Sequence, residues 1–387
     1  MPPVKITNTG KIYLYKNYLL LNEPGKGIHI INNTNKENPE MISFINIPGN
    51  YEMAVRGDRL FADSYVDLVV LDISDPENVT LTKRITDIFL NLAQQNEYYD
   101  PENGIIVSYE SKEIIEVNES EFNGSFPSYY YYDTGIAFRG GFASMDMAMS
   151  SFAPESAPSV QTGVGGSMAR FTIMKDHLYS IDNSNMQVFD IADLDNPVPG
   201  ANLNIGWGIE TIFPYKDNLF IGSQSGMIIY DNSDPSFPTH LSTFAHIISC
   251  DPVVVENDIA YVTLRGGSGC RNDFTNQLDV IDISDLSNPK LLISYPMTNP
   301  HGLGIDNGTL FICEGSAGLK VYDASDSYKI SNNLLAYYGE LDAYDVIPYQ
   351  NNLIMVGNKG LYQFDYSDPN DIKFLSVITI SREEPML

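Results

Sequence analysis

The chain has 387 residues, 50 of them acidic and 22 basic, and its formal net charge is −28 at pH 7. We expect no nucleic acid partner, because phosphate-backbone binding depends on clustered lysine and arginine, which this sequence lacks. With 43% hydrophobic and 11% aromatic residues, the chain can bury a large core. No apolar run reaches the ~18 residues that cross a bilayer. The sequence therefore predicts a folded protein without a transmembrane segment.

An apolar run that ends in Asp or Asn recurs seven times along the chain. The copies are GIHIINNTN, LVVLDISDP, MQVFDIADL, MIIYDNSDP, LDVIDISDL, LKVYDASDS and LYQFDYSDP. Their marker residues are Asn32, Asp72, Asp190, Asp231, Asp282, Asp323 and Asp365, spaced 40, 118, 41, 51, 41 and 42 residues apart. This is a period of about 41 residues with two insertions. We expect each marker to accept backbone N–H groups in an Asx turn rather than to bind a metal.

A polar turn followed by an apolar strand precedes each marker. Examples are YKNYLL, RGDRLF and YKDNLF, in which Asn, Asp and Gly suit tight hairpin turns. The fifth unit predicts strands A to D at 252–256, 259–264, 278–283 and 290–295, each bounded by Asx, Gly or Pro. Seven such units predict an all-β fold, a seven-bladed β-propeller of four-stranded antiparallel blades with one long loop insertion.

We expect residues 1–387 to form a single propeller, without strand exchange between the termini. Packing of Tyr, Ile and Val between the first and last blades would close the ring. The long insertion, at 90–168, lies between blades two and three, and a short one, at 265–277, lies within blade five. The predicted blades are 10–48, 50–88, 169–205, 208–245, 250–296, 301–338 and 343–380.

The two insertions predict which face of the ring carries function. In such blades the B–C and D–A connections lie on one face, here called the loop face, and the A–B and C–D turns lie on the other, the turn face. Both insertions belong to the loop face, and loops on rigid scaffolds tend to carry function. The turn face, with short and similar turns, is expected to be inert.

The long insertion itself predicts two parts. Residues Asn103–Val117 are expected to form an additional hairpin, and 122–168 are expected to be irregular, with GVGGS (163–167) in that irregular loop. A composition rich in Tyr, Ser and Gly is typical of binding surfaces. We therefore interpret Tyr129, Tyr130, Tyr131 and Tyr132 as binding residues; a flexible cover over the ring is the alternative.

Polar residues at the blade ends predict a ring around the mouth of the central channel. Such a ring can hold Ca²⁺ or carry acid–base chemistry, but a solvated rim is the favoured interpretation, because no compact motif supports the other two. Its expected binding members are Trp207, Arg170, Arg265 and Asp345, and a catalytic alternative would use Glu52, Glu210, Asp251 and His301. The ring also includes Glu23, Asp63, Asp182, Gln224, Glu314 and Asn358.

Other chemistry-bearing residues give weaker signals. The five histidines have no zinc-ligand spacing, and we expect no cofactor apart from a possible Ca²⁺. Trp207 can stack on a sugar or serve as a packing residue. Cys250 and Cys270 are expected to form a disulfide, since strands A and B are neighbours. Cys313 would be buried and free, or would compete for Cys270.

The strings LVVLD, LDVID and LKVYD resemble the LVIVD repeat. The resemblance implies a bacterial, exported or surface-anchored protein of the lipoprotein type, and it provides no catalytic assignment for this chain. The first residues, MPPVKITNTG, are unlike a signal peptide, so we expect an export signal to be absent from this chain. We expect a monomeric, non-catalytic binding or scaffold propeller at the bacterial outer membrane or cell surface, which holds a protein or glycan through its loop face. The alternative is a hydrolase or lyase at the channel mouth.

Overall fold

A computed structural model of the chain describes residues 1–89, 99–100, 104–105, 163–167, 169–245, 252–266 and 276–381. Within these ranges the protein is built from β-strands, with one short 3-10 turn at Ile330–Asn332. No helix in the described part of the chain is long and apolar enough to cross a membrane.

The first two blades precede the long insertion. Blade one contains β1 (Ile12–Tyr15), β2 (Tyr18–Glu23), β3 (Gly27–Asn32) and β4 (Glu40–Asn46). Blade two contains β5 (Met53–Arg56), β6 (Arg59–Ser64), β7 (Asp67–Asp72) and β8 (Thr80–Ile85). Within the insertion, β9 (Tyr99–Asp100) pairs with β10 (Gly104–Ile105), and β11 (Val164–Gly165) pairs with β1. Of the hairpin predicted at Asn103–Val117, the described residues are Gly104–Ile105, whose partner Tyr99–Asp100 precedes the predicted hairpin, so that the prediction stays untested.

Five further blades follow the insertion. Blade three contains β12 (Phe171–Met174), β13 (His177–Ile181), β14 (Asn185–Asp190) and β15 (Val198–Asn204). Blade four contains β16 (Ile209–Tyr215), β17 (Asn218–Ser223), β18 (Gly226–Asp231) and β19 (Thr239–Ala245). Blade five contains β20 (Val253–Glu256), β21 (Ile259–Leu264), β22 (Gln277–Asp282) and β23 (Lys290–Pro296). Blade six contains β24 (Leu303–Asp306), β25 (Thr309–Cys313), β26 (Leu319–Asp323) and β27 (Leu334–Tyr338). Blade seven contains β28 (Ala343–Tyr349), β29 (Asn352–Gly357), β30 (Gly360–Asp365) and β31 (Lys373–Thr379).

The strand order confirms the predicted fold class. Each of the seven blades is an antiparallel sheet in chain order A-B-C-D, and β11 adds a fifth strand to the inner edge of blade one. Strands A to C are almost fully buried and strand D is largely exposed, as in β8. The pairing of strands C and D is interrupted by a register shift in every blade.

The marker residues adopt the predicted Asx turns. Every one accepts the backbone N–H two residues later, at 2.8 to 3.0 Å, as in the bond from Ser74 to Asp72. A second Asx turn follows three residues on in each blade, at 3.0 to 3.1 Å, as in the bond from Glu77 to Asp75. Hydrogen bonds from the residue two positions later lower the pKa of five of the markers: Asp72, Asp231, Asp282, Asp323 and Asp365. The repeated acidic residues therefore have a structural role.

The ring closes between blades one and seven without strand exchange, as expected. Ile, Leu and Val side chains of both blades form one buried cluster that also takes in Ile6. Gln363, which is fully buried, donates to Asn33 at 2.7 Å and accepts from it at 2.9 Å. Ser376 donates to the carbonyl of Lys36 at 2.6 Å. A buried apolar seam with a satisfied amide pair thus joins the two ends of the chain.

Candidate functional site

The last residues of the insertion, Gly163–Ser167, run through the central channel; we call them the channel strand. They pair antiparallel with β1, with Tyr13 opposite Gly165 and Leu14 opposite Val164. Ser167, which is buried, reaches blade six, where its Oγ accepts the N–H of Leu303 at 3.3 Å. The channel is therefore occupied by the chain itself.

Glycine is required in this strand because the channel is narrow. A Cβ on Gly163 would lie 2.2 Å from Cε1 of Tyr13 and 2.9 Å from the carbonyl oxygen of Leu14. A Cβ on Gly165 would lie 2.9 Å from Cε2 of Tyr13. The string GVGGS, which the sequence placed in an irregular loop, is thus an ordered strand whose small residues fit against an aromatic wall.

The two described ends of the insertion lie at opposite ends of the channel. At its start, the N–H of Phe89 donates to the carbonyl of Val66, in the B–C turn of blade two on the loop face, at 2.8 Å. At its end, the N–H of Gly163 donates to the carbonyl of Val55, beside the A–B turn of that blade, at 2.9 Å. Phe89, just before the insertion, therefore lies on the loop face, whereas the last described strand of the insertion begins at the turn face, which its position in the repeat did not predict.

A buried ion pair lies at the loop-face end of the channel. The ammonium of Lys11 contacts the Oε1 atom of Glu52, and both side chains are nearly inaccessible. The backbone N–H of Arg170 donates to the Oε2 atom of Glu52 at 3.1 Å. Burial lowers the pKa of Lys11 well below its ordinary value, and the nearby guanidinium of Arg170 acts in the same direction. Glu52, predicted as a catalytic candidate, thus joins the start of strand A in blade two to the starts of strands A in blades one and three.

Asp63 joins this cluster from the end of β6. Its Oδ1 atom accepts the side-chain N–H of Asn50 at 2.7 Å and the backbone N–H groups of Tyr51 and Glu52 at 2.7 and 2.8 Å. Burial raises the pKa of Asp63 to about 7, although these hydrogen bonds and Lys11 act in the opposite direction. Asp63 therefore fixes the connection between blades one and two, and its proton affinity is high for a carboxylate.

His301 and Glu210 lie in separate polar contacts around the mouth. Nη1 of Arg265 lies 2.8 Å from Nδ1 of His301, and the side-chain nitrogen of Asn299 lies 3.0 Å from Nε2. Since a guanidinium only donates, the first contact uses a lone pair of the imidazole. Glu210 accepts the side-chain N–H of Gln224 at 3.2 Å. Asp345 is 1% exposed, so it lies beneath the surface of the mouth.

The remaining ring members stabilise B–C connections rather than line a common cavity. Asp182 accepts the backbone N–H groups of Ser184 and Asn185, both at 2.7 Å. Glu314 accepts from Lys320 at 2.5 Å, and Asn358 donates to Asp342. Glu23 is buried against His29, with Nε2 and Oε2 2.8 Å apart. The sequence predicted one ring of polar residues. The structure instead shows a cluster around Lys11, Glu52 and Asp63, together with separate contacts within single connections.

Trp207 is the most exposed of the predicted binding residues among the described part of the chain. It is 52% exposed, which does not suit a packing residue. It stands between Gly206 and Gly208, whose φ angles of +131° and +65° favour glycine. Tyr51 and Tyr65, which the sequence did not single out, are exposed on the same face next to blade two. The only feature of the sequence that could have identified Tyr51 and Tyr65 as binding residues is their position in loop-face connections.

Several predicted residues lie outside the described ranges. They are Asp251, the tyrosines Tyr129 to Tyr132, and both members of the predicted disulfide, Cys250 and Cys270. Cys313 is buried at the end of β25. In the described ranges, no group of three or more His, Cys, Asp or Glu side chains has a geometry suited to a metal ion.

The turn face is held together by contacts from one blade to the next. Three of them are Lys–Asp pairs between successive A–B turns, at 2.5 to 2.7 Å: Lys16 with Asp58, Lys175 with Asp217, and Lys216 with Asp258. Arg56 contacts Asp176, and Glu256 accepts the N–H groups of Asn307 and Gly308, both at 2.8 Å. A polar groove of about 520 Å³ also opens on this face between blades one and seven, beside Lys36, Asn351 and Asp365.

Comparison with solved structures agrees with this architecture. The chain is similar to a computationally designed protein, Ika8, at 8% identity and a TM-score of 0.54, over 98% of this chain and 91% of that one. It is similar to Sqt1 of Saccharomyces cerevisiae at 8% identity and a TM-score of 0.53, over 97% and 88%. A functionally unknown protein from Desulfotomaculum acetoxidans matches at 11% identity and a TM-score of 0.54, over 96% and 98%. At these identities the likeness concerns the fold alone.

The sequence comparison identifies the repeat. No curated protein matches the chain. The LVIVD repeat family matches residues 52–87 and 253–297, which correspond to blades two and five. Both segments contain the marker strings that resemble this repeat, LVVLD and LDVID. The chain is therefore a seven-bladed β-propeller that carries LVIVD repeats.

Proposed function

We propose that this protein is a non-catalytic binding or scaffold propeller that recognises a protein or glycan through its loop face. One observation carries the proposal. The exposed aromatic side chains Tyr51, Tyr65 and Trp207 stand on the loop face, on either side of the blade junction from which the insertion starts. Rigidly held aromatic residues offer a large contact area at a low entropy cost.

The charged groups nearby favour binding over catalysis. Glu52 faces Lys11 in a buried ion pair, and His301 contacts Arg265 and Asn299. These are contacts that hold blades and connections in place. Arg170 and Arg265, which are partly exposed, lie at the edge of the mouth. The net charge of −28 favours neutral or cationic ligands.

The test is an array of glycans and peptides probed with the labelled protein. Loop-face variants Trp207→Ala and Tyr51→Ala are compared with turn-face variants Phe237→Ala and Tyr328→Ala, whose side chains are also exposed. We expect ligands found with the wild type to be lost with the first pair and kept with the second. Loss with the second pair alone would reverse the assignment of the faces.

We further propose that the tyrosine-rich part of the insertion, Tyr129–Tyr132, contributes to recognition, and that the protein acts as a monomer at a bacterial cell surface. The composition of that segment supports the first proposal, and the LVIVD repeats support the second. Deletion of 129–158 should weaken binding to any ligand identified on the array. Antibody labelling of intact cells, with permeabilised cells as control, tests the location.

A further inference from the structure

We infer that the surface around Trp207 is a subsite for a neutral glycan, an inference that rests on the proposed function and specifies its ligand class. The subsite consists of Trp207, its flanking connection and the side chains of Arg170, Glu210 and Gln224 next to it.

The backbone that carries Trp207 is held by hydrogen bonds on both sides. The N–H of Ile205 donates to the carbonyl of Ser184 at 2.9 Å, and the N–H of Ile209 donates to the carbonyl of Asn183 at 3.1 Å. On the other side, the N–H of Gln224 donates to the carbonyl of Gly208 at 2.9 Å. Backbone bonds to two neighbouring blades therefore hold the backbone on both sides of Trp207, so that binding costs little additional ordering of this connection.

Polar groups lie beside the connection that carries Trp207. A Cβ on Gly208 would lie 3.1 Å from the side chain of Gln224, which places that side chain directly beside the connection. Gln224 donates to Glu210 at 3.2 Å, and Nε of Arg170 donates to the Glu210 carbonyl at 3.2 Å. A sugar ring presents C–H groups on its faces and hydroxyls at its edge. An aromatic platform with amide and guanidinium groups at its side matches both.

The distribution of aromatic residues favours a glycan over a protein. The partly exposed residues next to the Trp207 connection are Glu210 and Gln224, and the nearby Ile209 and Ile228 are buried. A protein interface, in contrast, has an apolar core with a polar rim. Tyr51 and Tyr65 form a second aromatic point beyond the insertion junction. Aromatic side chains that stand apart from each other can each contact a different sugar ring of one oligosaccharide. The acidic field of the protein disfavours uronic or sulfated sugars.

The protein contains a single tryptophan, so its indole fluorescence reports on Trp207 alone. The probes are cellohexaose, chitohexaose and mannohexaose, with hexagalacturonate as the anionic comparison. We expect at least one neutral hexasaccharide to give a saturable blue shift and intensity change, and hexagalacturonate to give none. By calorimetry, Trp207→Ala should weaken that binding about tenfold or more, whereas Trp207→Tyr should retain most of it.

Phe237→Ala is the matched control, because Phe237 is 55% exposed on the turn face of the same blade. It should leave the affinity unchanged. If no neutral sugar alters the emission, and peptides on the array bind in a manner that requires Trp207, the ligand class is overturned and the proposed function stands. If no ligand of either class depends on any loop-face variant, both proposals fail.

Discussion

The two faces of the propeller use charge in opposite ways. On the turn face, Lys–Asp pairs such as Lys175 with Asp217 repeat from blade to blade in solvent, with both partners about half exposed. On the loop face, Lys11 and Glu52 form a pair that is withdrawn into the channel, where both are nearly inaccessible. The same type of interaction is thus a series of exposed contacts on the turn face, whereas the Lys11–Glu52 pair on the loop face is buried.

The difference explains why the faces diverge in their remaining surface. Interblade pairs occupy the polar groups of the A–B turns, so that each of these turns resembles the next. The loop-face connections are held by backbone bonds and a buried cluster, and this leaves side chains such as Trp207 and Tyr51 free to vary and to face solvent. The turn face also carries the polar groove beside Lys36, which the expectation of an inert face did not include.

The largest expected effect is the loss of the buried carboxylate. Glu52→Ala should lower the free energy of unfolding by about 3 to 5 kcal/mol, because it leaves the Lys11 ammonium buried without this counter-charge. Urea unfolding followed by circular dichroism measures the change. The control is Glu340→Ala, an exposed glutamate in another loop-face connection, which should leave the midpoint nearly unchanged. Equal midpoints for the two variants would contradict the distinction between buried and exposed charge.

The next effect is a pH dependence that arises at Asp63. Its pKa is raised to about 7 in the folded protein, so the folded state keeps a proton that the unfolded chain releases near 3.8. The stabilisation is complete below that lower value and is lost as the pH rises through about 7. Relative to Asp63→Asn, the wild type should therefore lose about 3 to 4 kcal/mol between pH 4 and 7. A constant difference between the two unfolding free energies across this interval would refute the prediction.

A smaller effect is expected where the channel strand passes Tyr13. Gly163→Ala should lower the free energy of unfolding by about 1 to 3 kcal/mol, because its Cβ has no room beside the aromatic ring. Gly200→Ala is the control, since a Cβ there would meet the Val188 carbonyl at an ordinary 3.5 Å. Thermal unfolding of both variants measures the contrast. If the first variant is as stable as the second, the strand does not lie in the channel.

The smallest effect is expected on the turn face. Asp217→Asn removes one exposed interblade pair, and such pairs contribute about 0 to 1 kcal/mol. The midpoint of urea unfolding should therefore move only slightly, and less at high salt, where the charges are screened. A loss as large as that of Glu52→Ala would mean that the two faces contribute equally to holding the ring together.

Much of the fold was predictable because the repeat is carried by local signals. The marker strings and polar turns depend on neighbours within a few residues, and the strands of blade five were predicted to within a residue. The double Asx turns at residues such as Asp72 and Asp75 show why: each side chain bonds a backbone N–H two positions later. Such contacts are visible in the sequence itself.

The site was less predictable because its contacts are not local. Lys11 meets Glu52 across two blades, and Gly163 meets Val55 from more than a hundred residues away. GVGGS has the composition of a flexible loop, and only the proximity of Tyr13 shows that its glycines serve a steric purpose. Position in the repeat indicated which residues approach the channel mouth. It did not indicate which of them pair with each other, nor which are buried.

The channel strand also has a consequence for the order of assembly. Its pairing partner, β1, and the Val55 carbonyl both precede it in the chain, whereas blades three to seven follow it. During synthesis from the N-terminus the strand can therefore seat against blades one and two before the rest of the ring exists. The later blades then close around a segment that is already in place, and no free end has to be threaded through a finished ring. A circular permutant that begins at residue 169 would reverse this order, and it should refold more slowly than the natural chain.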